Sequence, residues 1–145
     1  RVGGLWSASF LWGQQQSAPE DQIPPYFTSG DNSLEDWYRR HRPEVVISKA
    51  EFVLPALAAL RVRVPRDVSF VDLFLEETDG RTAGVRQNHA AVGALAVDML
   101  ATRMQHNERG SPAVPTTTYV DGTWFDGASL PVSPELSGRV PTRRD

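Results

Sequence analysis

The chain contains no cysteine, which excludes disulfide bridges and thiolate metal sites and fits a reducing compartment. No apolar run approaches the ~20 residues that a membrane-spanning helix needs. Cations are not in excess: 15 Lys and Arg stand against 18 Asp and Glu, a net charge of -3, so the chain as a whole does not attract nucleic acid. Histidine is scarce, and His41, His89 and His106 match no zinc-type spacing; neither a metal nor a cofactor is expected. The opening residues RVGGLWSASFLWGQQQ lack the charged start, long apolar core and small-residue cleavage site of a secretory leader. A cytoplasmic protein without membrane attachment is therefore expected.

Catalytic signatures are missing as well. Ser48, Asp72 and a histidine can be assembled on paper into a triad, but no G-x-S-x-G nucleophile elbow exists to present the serine. Gly3-Gly4 is only a doublet with no strand before it, so no glycine-rich phosphate cradle is formed. An enzyme is not expected. The basic run RRHR, Arg39 to Arg42, could be read as a nucleic-acid patch, yet it falls in the last turn of an expected helix, where cations complement the helix dipole. Trp6, Trp12, Trp37 and Trp124 could stack on a sugar ring; packing in the core is the commoner role for such side chains.

What is present is enough chain for one domain. A length of 145 residues allows folding to bury roughly 70% of the unfolded surface. Leu5, Trp6 and Trp12 within Gly3 to Gln16 recur near helical spacing and suggest a short amphipathic helix, ended by Pro19 and Pro24-Pro25. Tyr26 to Ser29 reads as a strand, and GDNS after it supplies a turn and an N-cap for the helix LEDWYRRH. Glu44 to Ser48, EVVIS, is a continuous apolar run of the kind buried on both faces of a parallel sheet. A helix FVLPALAALR follows, with Pro55 in its first turn, and then a buried strand, Val68 to Leu73.

Beyond the loop EETDGR, Ala83 to Gln87 reads as a short strand. Asn88 is a good N-cap for the clearest helix, whose residues Val92, Leu95, Ala96, Met99 and Leu100 form one apolar stripe. Gly110 stops it. Thr116 to Val120 and Thr123 to Phe125 read as two strands joined at Asp121-Gly122. From Val132 the chain has almost no apolar content, so residues 132–145 are expected to form a mobile tail after a domain of residues 1–131. The alternation of strands and helices predicts an α/β fold with a mainly parallel, Rossmann-like sheet, where ligands bind beyond the carboxyl ends of the strands.

The ordered series RPEVVIS, a helix, VPRDVSFV, VRQNHAAVGALAVDML and VDGTWFDG resembles the C-terminal half of the effector-binding core of LacI/GalR-type transcription regulators. RVGGL resembles that family's R-x-x-G-[FWL] at the start of the first helix of the C-terminal lobe. The resemblance covers residues 1 to about 131. It implies a fold like the type I periplasmic binding proteins, a small sugar-like effector, and a homodimer or larger assembly. DNA would be contacted only through an N-terminal helix-turn-helix that these residues do not contain. It also implies ligand-binding roles for Arg1, for Glu51 where the family has N-D, for Asp31 and Asn32, and for Gln87 at the crossover between lobes.

Gln87 can equally be a polar group at a strand end. Two departures bear on the ligand: Leu73-Phe74-Leu75 stands where the family has [FY]-D-D, and Asn32 stands where an aromatic often follows G-D. An exported sugar-binding protein of a transporter shares the two-lobed architecture and is the alternative. Because the family packs the helix after Gln87 on a lobe absent from this sequence, its stripe is expected to seek a second copy of the chain.

Overall fold

The computed structural model describes residues 2–28, 33–112 and 114–131. Among them the elements follow as α1 (Val2–Gln14), α2 (Leu34–His41), β1 (Val45–Ser48), α3 (Ala50–Ala59), β2 (Ser69–Asp72), β3 (Ala83–Arg86), α4 (His89–Gln105) and β4 (Thr123–Phe125). The strands form one sheet in the order β1-β2-β3-β4. β1, β2 and β3 run parallel, and β4 adds antiparallel to β3 with Trp124 opposite Val85. The fold is α/β, with a mostly parallel open sheet flanked by helices, compatible with a Rossmann-like architecture.

Local chemistry accounts for several boundaries. Ser33 caps α2, its Oγ accepting the Asp36 N–H at 3.0 Å. Glu35 and Asp36 occupy the first turn of that helix and Arg39, Arg40 and His41 the last, each favourable with the dipole. The basic run is thus a helix end, with Arg39 paired to Glu35. Arg42 in the left-handed region, φ 42°, terminates it. Before β2, the guanidinium and backbone N–H of Arg63 both donate to Asp67. Those hydrogen bonds hold the Asp67 carboxyl down to about 2.

The core is small and lies on β2. Phe70, Val68 and Leu57 are fully buried, joined by Val71, Leu75 and Ala83. The register of β2 with β3 begins only at Val71 with Ala83, so Ser69 and Phe70 have no β3 residue opposite them. Ser129 fills that fork. Its Oγ donates to the Phe70 carbonyl at 2.7 Å and accepts the Ala83 N–H at 2.9 Å, while its own carbonyl accepts the Phe70 N–H at 2.9 Å. A buried hydroxyl thereby satisfies backbone groups that the sheet leaves over.

Several expectations are corrected. Tyr26 to Thr28 are not a strand, and Ser29 lies outside the described residues; Trp37 Nε1 donates to the Pro24 carbonyl at 2.9 Å and its ring meets Tyr26, so this segment is held by a side chain instead of a ladder. Thr116 to Val120 are not a strand either, which leaves β4 as the only partner β3 has on that side. β1 is not buried on both faces: it is an edge strand, with Val45 and Ile47 exposed. Pro55 lies beyond the first turn, because α3 begins at Ala50.

Among the tryptophans, Trp12 and Trp124 are exposed instead of packed in the core, at 74% and 47%. The side chain of Trp6 lies outside the described ones, as do the structures of Arg1, Asp31, Asn32 and residues 132–145.

Candidate functional site

Three strands end on one side of the sheet. The chain leaves β1 at Lys49, β2 at Leu73 and β3 at Gln87, and these exits surround a cleft of about 650 Å³. Its walls include Lys49, Phe74, Glu76, Arg86, Gln87 and His89. The position is the one that parallel α/β sheets use for ligands, beyond the carboxyl ends of the strands. The size is ample for a monosaccharide-sized molecule.

Gln87 is held at the cleft by a long hydrogen bond of 3.4 Å from Nε2 to the Leu73 carbonyl, which bridges the exits of β3 and β2. Its Oε1 has no partner among the described residues. Glu51 stands to the side, in the first turn of α3, with its carboxylate 2.7 Å from Lys49 Nζ. That hydrogen bond, with the charge of Glu51, raises the Lys49 pKa above its ordinary value.

Glu51 belongs to a second cleft of about 280 Å³, with Asp72, Glu77 and Asp79 around it. Phe74, Leu75 and Glu76 line both clefts. Of the five residues expected to bind ligand, then, Gln87 and Glu51 reach adjoining clefts on the same edge of the sheet. Arg1, Asp31 and Asn32 lie outside the described residues.

Other side chains emerge here that were not among the expected ligand-binding residues. Asp72, last residue of β2, is 6% exposed and its Oδ1 accepts the Phe74 N–H at 2.8 Å. It places a carboxylate near the position where Leu73-Phe74-Leu75 had removed one. Phe74, 40% exposed, offers an aromatic face between the two clefts. Lys49 and His89 were readable only as the first residue past a strand and the first residue of a helix; their position in the sheet's carboxyl edge becomes visible only once the parallel pairing is known.

Asn88 departs from its expected role. It occupies the N-cap position of α4, but its side chain makes no capping hydrogen bond. Nδ2 donates instead to the Asp121 carbonyl at 2.7 Å and to Thr123 Oγ1 at 3.2 Å. The amide that would ordinarily satisfy a first-turn N–H ties the start of α4 to the entry of β4.

The described residues include no cluster of three or more His, Cys, Asp or Glu able to hold a metal, and no helix long and apolar enough to cross a membrane. Comparison with protein-family models, with curated proteins and with solved structures gives no match for this chain.

Proposed function

We infer that this chain is the effector-sensing part of a LacI/GalR-type transcription regulator, working in the cytoplasm and taking a small sugar-like ligand at the carboxyl edge of its sheet. The observation that carries this reading is the cleft itself: Gln87, Lys49, Arg86 and Glu76 converge beside the exposed face of Phe74. Polar groups that converge next to an aromatic plane are what orient a hydroxylated ring. A sensor of this kind acts by binding the effector more tightly in one conformation than in another.

Thermal unfolding in the presence of pentoses, hexoses and uronates tests it. A ligand at a hundred times its dissociation constant adds about 2.7 kcal/mol, a plain upward shift of the midpoint. A flat response across all three classes would sink the reading, as would specific operator binding by these residues alone in a gel shift.

The same reading has the chain associate with a second copy through α4. No residue of that helix is buried. Of the expected stripe Val92, Leu95, Ala96, Met99 and Leu100, Leu95 and Met99 are half-buried, so the surface offered to a partner shifts to Val97, Leu100 and Met104, which are 66%, 59% and 71% exposed. Together with Gly93 they recur at spacings of four, three and four, the pattern of a helix–helix seam. Ala94, Ala96 and Ala101 flank the seam, with Arg103 the one flanking charge, so two copies meet there without a block of like charges. Light scattering is expected to give at least the mass of a dimer, and Leu100→Glu that of a monomer. A monomeric parent chain at high concentration overturns the proposal.

A further inference from the structure

The main cleft is unevenly charged. Lys49, Arg86 and His89 stand on its walls, against the single carboxylate of Glu76. Lys49 is shared with Glu51. Arg86 and His89 have no ion-pair partner among the described residues. Arg86 closes β3 and His89 opens α4, three residues apart, so a guanidinium and an imidazole, both able to donate hydrogen bonds to an anion, are fixed to elements that end at the same cleft. Ala90 and Ala91 also line it; with Asn88 occupied at Asp121 and Thr123, no side chain of the N-cap lies over this positive helix end.

The adjoining cleft has the opposite character. Asp72, Glu51, Glu77 and Asp79 surround it, with Arg81 as its cation. Carboxylates of that kind accept hydrogen bonds from hydroxyl groups. The two clefts meet at Phe74, Leu75 and Glu76.

On this arrangement we propose that the ligand is an anionic polyol, a sugar bearing a carboxylate or a phosphate, with its anionic group at Arg86 and His89 and its hydroxyls toward Glu76 and the acidic cleft. The proposal rests on the sugar-sensor reading and narrows it. A planar guanidinium offers two parallel donors to a carboxylate or phosphate, a gain that a neutral hexose does not bring. The acidic neighbours disfavour a small multivalent anion that would fill both clefts, and suit a molecule charged at one end only.

Calorimetric titration of the 145-residue chain tests this with glucuronate and galacturonate, a hexose monophosphate, and the parent neutral hexoses. One of the charged classes is expected to bind roughly tenfold or more tighter than its neutral parent, the scale of one charge-assisted hydrogen bond, with the gap narrowing as salt is raised. Preference for the uronate identifies the carboxylate as the recognised group, and preference for the ester identifies the phosphate.

Arg86→Gln is expected to remove most of that gap, weakening the charged sugar about tenfold more than its neutral parent; an equal loss for both would overturn the assignment of the anionic group to Arg86. Neutral hexoses binding as tightly as the charged sugars would overturn the anionic site and leave the sensor reading standing. Binding by none of the sugars would overturn both.

Discussion

Phe70→Ala is expected to lower the unfolding free energy by about 3 to 5 kcal/mol, the range for deleting a buried aromatic ring. That is a large share of the roughly 5 to 15 kcal/mol that a domain of this kind possesses. Phe70 is fully buried in the middle of the small core on β2. It is also bonded through its backbone to Ser129 on both sides of the peptide. A cavity there cannot be closed by sliding β2 without breaking the Ser129 fork. Urea titration with an unchanged slope and a lowered midpoint is the expected result. Tyr119→Ala, at a site 86% exposed, should stay within about 0.5 kcal/mol of the parent chain. Equal effects at the two sites would mean that β2 is not the centre of the core.

The second large effect concerns one substitution made at two glycines. Gly84 is buried in β3, opposite Asp72 on one side and Phe125 on the other. A Cβ added there would fall on the Asp72 backbone carbonyl, which is an atom of the ladder and cannot rotate away. Gly84→Ala is expected to cost about 3 kcal/mol or more, the upper part of the range for overfilling a packed site. In Gly93→Ala the new methyl meets nothing within 4 Å, and the residue sits inside α4. Here the gain in helix propensity is about 0.8 to 1.0 kcal/mol. Opposite shifts of the thermal midpoint are therefore expected from the same chemical change, and a neutral Gly84→Ala would show that β3 does not lie as close to β2 as the register implies.

How much of this was legible in the sequence depends on whether a signal is local. Ser33 as the cap of α2, the start of α4 at His89 and the strand at Thr123 to Phe125 follow from residue types and periodicity close by in the chain, although α4 already ends at Gln105, ahead of the expected stop at Gly110. The parallel α/β class followed from the order of elements. Edge and centre could not be told apart that way: EVVIS and VSFVD are similar apolar runs, yet only β2 has a strand on both sides. Tyr26 to Thr28 have strand-forming residues but no neighbour to pair with, and Trp37 holds them by other means. The misplacement of Pro55 came from reading the helix start at Phe52, although Ala50 and Glu51 extend it.

The cleft was legible in part. Gln87 and Glu51 reach the carboxyl edge because Gln87 is the residue that leaves β3 and Glu51 lies in the first turn of the helix after β1, and strand exits can be found from sequence. That Asp72 restores a carboxylate to that edge, or that Phe74 stands between two clefts, depends on how the chain turns between β2 and β3. That connection contains no helix and so carried no periodic pattern to read. Asn88 shows the limit most clearly: its type is right for a cap, but partners 33 and 35 residues away take its amide.

That amide gives α4 a pivot. The helix has 17 residues and at 1.5 Å per residue is about 25 Å long. It is anchored at Asn88, has no residue buried along its length, and borders the cleft with its first turn, which is the geometry of a lever. A tilt of roughly 10° at the pivot would carry the far end, near Met104, through about 4 Å, some three quarters of the ~5.4 Å helical pitch. In the proposed sensor, a small rearrangement around a bound molecule would be magnified at the surface proposed for a second copy.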